Sequence, residues 1–172
     1  AARAPVKSAH CLRTAARHAS RPMSVSTLFA DQFEVKDTSK KFDKVTRLHC
    51  RLAEEGYDLV LDLDVNSDLY PLEVGDRFAF LLSSTLDLDG GADAGVYDQS
   101  GKPSLLDDYE YAMYGKIFKW KQENTKAPIE VQVSFGGLLM RLKGDPRHLQ
   151  KLALDSRVYL LMRKINTETD VQ

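Results

Sequence analysis

Residues 131–142 read Val-Gln-Val-Ser-Phe-Gly-Gly-Leu-Leu-Met-Arg-Leu, and this stretch decides the fold. Apolar and polar residues alternate up to Phe135, and apolar residues recur at every second position from Leu138 onward. Such alternation is typical of β-strands with one buried face. Because glycine reaches the positive φ angles of tight hairpin turns, Gly136 and Gly137 predict a β-hairpin here. A glycine-marked bulge or barrel corner is the alternative interpretation.

Short alternating runs recur along the chain at near-regular spacing. Strands are predicted over 42–52, 57–65, 77–83, 109–120 and 157–164, with a looser run over 28–35 and a polar turn over 37–41. Asp145 is a good helix N-cap and Pro146 suits the first helical position, so one short helix is predicted there. This pattern is typical of an all-β antiparallel barrel or sandwich.

Two of these strands have unusual faces. In 57–65, the leucines and Val65 face one way, and we interpret the opposite side, with Asp62 and Asp64, as facing solvent. In 109–120, both faces are apolar: one holds Tyr109, Tyr111, Met113 and Ile117, and the other holds Ala112, Tyr114, Phe118 and Trp120. Since only one face of a barrel strand meets the core, the second predicts a covering loop or a partner protein.

The segment 85–108 breaks the alternation. It holds six aspartates and four glycines against one basic residue, Lys102. Such a composition buries little apolar surface, so a long, mobile, acidic loop is predicted.

Charge divides the chain unequally. Residues 1–30 contain five basic residues and no acidic one, so the remaining 19 basic and 25 acidic residues give a net charge of −6. Residues 1–22 are rich in Ala, Arg and Ser, which suits a disordered basic tail, non-native sequence or a mitochondrial transit peptide. We assign 23–165 to a single domain and 166–172 to a polar tail. The acidic balance of the domain disfavours a nucleic-acid-binding footprint, and no apolar run is long enough to span a membrane.

No catalytic, cofactor or metal site is predicted. The spacing of an EF-hand calcium loop is matched by Asp62, Asp64, Asn66, Asp68 and Glu73. However, Ser67 stands where that loop needs glycine, and a strand precedes it instead of a helix. Cys50 is predicted to be a buried free thiol, and His49 beside it a surface residue. Phosphate-binding and nucleophile-elbow motifs are absent from the sequence.

Several motifs together resemble the eighth subunit of eukaryotic nuclear RNA polymerases, the small subunit shared by polymerases I, II and III. The similarity covers about 26–165 and runs, in order, through 28–35, 41–50, 70–78, 109–116, 134–142 and 155–162. One of these motifs is Ser-Phe-Gly-Gly-Leu-Leu-Met-Arg-Leu at 134–142.

The resemblance implies an eight-stranded antiparallel barrel related to the oligonucleotide-binding fold. It implies a non-catalytic subunit in the nucleus, including the nucleolus through polymerase I, that docks on the largest subunit without a small-molecule substrate, a membrane or sequence-specific nucleic acid. Two segments are expected to form the interface, namely Tyr114, Gly115, Lys116, Gly136, Gly137, Leu138, Leu139, Met140 and Arg141. The alternative function is an autonomous barrel that binds single-stranded nucleic acid through Tyr111, Tyr114, Phe118 and Trp120.

Overall fold

The computed structural model describes residues 26–53, 58–88, 102–124 and 127–165. It contains eight strands, β1 (Thr27–Phe42), β2 (Val45–Leu52), β3 (Val60–Asn66), β4 (Arg77–Ser83), β5 (Tyr111–Lys121), β6 (Ile129–Phe135), β7 (Leu138–Gly144) and β8 (Arg157–Ile165). A 3-10 helix spans Leu105–Asp108 and the helix α1 spans Pro146–Leu149. Neither helix in these residues is long and apolar enough to cross a membrane.

The strands form a closed antiparallel barrel in the order β1-β2-β3-β7-β6-β5-β8-β4. The predicted hairpin is confirmed: Phe135 pairs with Leu138, and the two residues between them, Gly136 and Gly137, have φ angles of 63° and 111°. A two-residue loop with positive φ at both positions matches the right-handed twist of the strands. The predicted all-β barrel is therefore confirmed, and the bulge interpretation of this stretch is wrong.

The core fills the barrel with the inward residues of every strand. Phe33, Phe78 and Phe80 are almost completely buried and their rings pack together, with centroids 5.4 to 6.1 Å apart. The β3–β4 connection covers one end with Tyr70 and Leu72, while α1 and the residues after it cover the other with Leu149 and Leu152. Asp145 caps α1 by accepting from the Arg147 N–H, as predicted.

The predicted polar turn over 37–41 is wrong. These residues extend β1, which pairs with β2 as far as Phe42 and Val45, so Phe42 ends β1 instead of opening β2. Backbone pairing with β2 continues through this segment, so its polar composition does not end the strand.

The prediction that the acidic segment buries little apolar surface is wrong at both of its ends. Leu105 is buried with Leu81 and Leu161 on the outside of β4 and β8, and four further side chains pack against them, Leu86, Leu88, Leu106 and Tyr109. Ser104 and Asp107 form a capping box that begins the 3-10 helix. Residues 89–101 lie outside the described residues, as do the leader 1–22 and the tail 166–172.

Cys50 is a buried free thiol, as predicted. Burial, with the Asp62 carboxylate as a second cause, raises its pKa to about 12. Since the thiolate is the reactive form, we expect iodoacetamide at pH 8 to leave Cys50 unmodified in the folded chain and to alkylate it fully in concentrated denaturant. Peptide mass spectrometry measures both states, and rapid modification of the folded chain would contradict the assigned burial.

Candidate docking face

The outer surface of five neighbouring strands, β2, β3, β7, β6 and β5, forms one continuous face, which we call the docking face. Strand register aligns its side chains in rows, because residues directly opposite each other point to the same side of a sheet. The central row runs across all five strands and consists of His49, Asp62, Arg141, Gln132 and Lys119. The next row contains Arg47 and Asp64 on one side and Leu139, Ser134 and Lys116 on the other.

Apolar side chains on this face are left uncovered by the described residues. Tyr114 is 41%, Phe118 47% and Leu139 41% exposed. Tyr114 lies against Tyr159, with ring centroids 4.6 Å apart, and its hydroxyl accepts from Arg157 at 3.2 Å. The prediction of an apolar outer face on β5 is therefore confirmed.

A bulge in β5 changes the side of the strand on which Trp120 lies. The register shifts between Ile117 and Lys119, so that Trp120 lies opposite Val131, a core residue. Residues opposite each other share a side, so Trp120 belongs to the inner side, near the end of β5, where its side chain is still 37% exposed. Its predicted place beside Phe118 is therefore wrong.

The prediction that Asp62 and Asp64 face open solvent is wrong. Asp64 accepts from Nε and Nη2 of Arg47 at 2.6 and 2.7 Å and from the backbone N–H of Leu139 at 3.2 Å. Asp62 accepts from Arg141 and lies 2.7 Å from Nδ1 of His49. Both carboxylates are largely buried, with side chains 12% and 8% exposed for Asp62 and Asp64. A buried carboxylate needs such partners, because burying a charge without them is costly.

A groove of about 360 Å³ lies on this face. Its lining includes the polar residues Arg47, His49 and Arg141 and the apolar residues Phe118 and Leu139. Its guanidinium groups stay partly accessible, since the Arg141 side chain is 51% and the Arg47 side chain 29% exposed. The groove thus combines fixed guanidinium donors with apolar surface.

The structure spreads the nine predicted interface residues over three settings. Tyr114, Lys116, Leu139 and Arg141 are exposed on the docking face, and Gly136, Gly137 and Leu138 lie at the turn that borders it. Gly115 and Met140 are buried. Lys116 pairs with Asp155 at 2.8 Å.

The docking face contains no arrangement that we can assign to catalysis. Among the described residues, no group of three or more His, Cys, Asp or Glu side chains could hold a metal ion. Its two central carboxylates are engaged by arginine, histidine and backbone donors.

The sequence matches the family RNA polymerase Rpb8 over residues 30–164. The chain belongs to the RNA polymerase Rpb8 family. A protein of Dictyostelium discoideum named DNA-directed RNA polymerases I, II, and III subunit rpabc3 is 49% identical, over 81% of this chain and 98% of its own. The Arabidopsis thaliana protein DNA-directed RNA polymerases II, IV and V subunit 8B is 46% identical, over 80% of this chain and 96% of its own. A subunit RPABC3 of polymerases I, II and III from Saccharomyces cerevisiae is 36% identical, over 81% of this chain and 99% of its own.

In this Rpb8 family chain, sequence reasoning missed the charged half of the docking face. Arg47, His49 and Asp62 alternate along their strands, which indicated the outer side of each strand and nothing about its neighbours. Arg141 meets Asp62 across 79 residues of sequence, because β7 pairs with β3 when the barrel closes. The signal that could have suggested a cross-strand pair is that one strand carries acidic residues, and another basic residues, at the alternate positions that face outward.

Proposed function

We propose that this chain is a non-catalytic structural subunit of nuclear RNA polymerases I, II and III. The observation that supports this most strongly is the 36% to 49% identity to proteins named as polymerase subunits, over nearly their whole length. Matches of that extent favour a shared fold and a shared place in the assembly. The role requires a nuclear protein, and a subunit of polymerase I also enters the nucleolus.

The docking face supports a structural role in place of a catalytic one. General acid–base catalysis needs a group free to exchange a proton with a substrate. Asp62 and Asp64 instead accept several hydrogen bonds each, and they hold Arg47 and Arg141 in position. Exposed apolar side chains bordered by polar ones are typical of protein interfaces. We infer that other polymerase subunits, the largest among them, cover this face.

Affinity purification tests the proposed function. The full chain, tagged at its C-terminus, is expressed in cells and recovered from nuclear extract at moderate salt, and bound proteins are identified by mass spectrometry. We expect the largest subunits of all three polymerases in near-stoichiometric amounts. Recovery of nucleic acid alone, with no polymerase subunit above an untagged control, would contradict the proposal and favour an autonomous single-strand-binding barrel.

A substitution at the centre of the face gives a sharper test. Leu139→Asp is expected to reduce the recovery of polymerase subunits at least tenfold, because a carboxylate would have to be buried in an apolar contact. The side chain is exposed in the free chain, so its stability is expected to change by less than about 1 kcal/mol.

Leu69→Asp is the matched control. Leu69 is 73% exposed in the β3–β4 connection, away from the docking face. The substitution makes the same change in charge and polarity as Leu139→Asp. The Leu69→Asp variant is expected to recover as much polymerase as the unmodified chain. Equal losses for both variants would mean that Leu139 is no special part of the interface.

A further inference from the structure

We propose that the groove on the docking face binds an acidic segment of a partner polymerase subunit, with a carboxylate on the arginines and an apolar side chain against Phe118. This inference rests on the proposed function and adds the chemistry of the partner. Three features support it, namely the guanidinium donors of the groove, the apolar residues in its lining and the net charge of the docking face around it.

The guanidinium groups of Arg47 and Arg141 are fixed in position and can each bind a second carboxylate. Each uses Nε and Nη2 for an aspartate, Arg47 for Asp64 and Arg141 for Asp62. Nη1, with two N–H donors, remains on each arginine, and it forms no hydrogen bond to another group within the described residues. Because the aspartates fix both side chains, a carboxylate that binds there loses less rotamer entropy than it would with free arginines.

The apolar residues in the lining of the groove provide a contact for an apolar side chain of the partner, next to the carboxylate. Phe118 is the extra residue of the β5 bulge, and its side chain is 47% exposed. Leu139 lies on β7, with β6 between the two strands, and is 41% exposed. Both line the groove with Arg141. A segment with an acidic and an apolar residue close together fits both halves of the groove.

The charge of the docking face favours an acidic protein partner. Its outward ionised residues are seven basic and three acidic, a net charge of +4 with His49 neutral, namely Arg47, Arg51, Lys116, Lys119, Lys121, Arg141 and Lys143 against Asp62, Asp64 and Glu130. The rest of the domain is acidic, since residues 31–172 have a net charge of −6. A nucleic-acid backbone would extend past this face toward acidic surface, whereas a short acidic segment need not.

Photocrosslinking of the assembled chain tests this inference. The full chain, with p-benzoylphenylalanine in place of Phe118, is expressed in cells, irradiated and purified, and the crosslinked peptides are mapped by mass spectrometry. We expect the crosslink on a segment of another polymerase subunit that has Asp or Glu within about three residues. The same photoreactive residue in place of Phe42, which is 75% exposed at the end of β1, is expected to give a different crosslink or none.

A charge reversal in the same assay tests the electrostatic part. Lys119→Glu is expected to lower polymerase recovery about tenfold, because it sets like charges against each other. Lys102→Glu, an exposed lysine outside the face, makes the same change in net charge and is expected to have no effect.

Failure of this inference differs from failure of the proposed function. If polymerase subunits co-purify normally but the Phe118 crosslink falls on nucleic acid, on a second copy of the chain or on a segment without acidic residues, the inference is wrong and the proposed function stands. If Lys119→Glu and Lys102→Glu act alike, it is wrong too. If no polymerase subunit co-purifies with the unmodified chain, the proposed function fails and the inference fails with it.

Discussion

Replacing Gly115 with alanine is expected to destabilise the barrel by about 3 kcal/mol. A Cβ atom there would lie 2.4 Å from the backbone oxygen of Ser134 and 2.5 Å from the Phe135 ring. The Ser134 oxygen belongs to the backbone and cannot yield without moving β6, since Ser134 pairs with both Lys116 and Leu139. Gly115 thus allows β5 and β6 to approach each other closely, which is a structural reason for glycine in a strand.

Urea unfolding of the full chain measures this effect. We expect a lower midpoint with an unchanged slope for Gly115→Ala. Ala112→Ser, on an exposed position of the same strand, is the control and is expected to stay within about 0.5 kcal/mol of the unmodified chain. A loss below 1 kcal/mol for Gly115→Ala would mean that β5 and β6 are farther apart than described.

The second large effect concerns the buried carboxylates. Arg47→Met is expected to cost about 3 kcal/mol, because Asp64, whose side chain is 8% exposed, would keep only the Leu139 N–H as a partner among the described residues. The free energy of unfolding from urea titration measures it. A change below 1 kcal/mol would show that water reaches Asp64 and that the pair is a surface ion pair.

The double variant Arg47→Met with Asp64→Leu separates two explanations of that loss. If the cost comes from an unpaired buried charge, removing Asp64 as well is expected to recover about half of it. The remainder reflects the Leu139 N–H, which would lose its acceptor. No recovery at all would indicate that the long side chain of Arg47 matters through packing instead.

How far the sequence predicts this fold depends on whether an element is specified locally. The hairpin at Gly136 and Gly137 is predicted because turn residues and strand alternation act within a few positions. The extension of β1 through residues 37–41 is not predicted by the sequence, because pairing with β2 outweighs the preference of these polar residues for a turn. The β5 bulge at Phe118 has no glycine to mark it, so the position of Trp120 was missed.

The docking face shows the same division. Alternation places Tyr114 and Leu139 on the outside of their strands, and both are exposed there. The pairs of Asp62 with Arg141 and of Asp64 with the Leu139 N–H form only because β3 neighbours β7 in the closed barrel. Parity along one strand indicates a face, but barrel closure between distant strands decides which side chains share it.

Hydroxyl-radical footprinting tests the central claim, that a polymerase partner covers the docking face. Oxidation of individual side chains is compared between the free full chain and the chain in polymerase purified through it. We expect oxidation of Tyr114, Phe118 and Leu139 to fall at least fivefold on assembly, while the exposed Leu69 keeps its rate. Unchanged oxidation of Phe118 and Leu139 in a polymerase that contains the chain would show that a different surface docks, and would contradict the account.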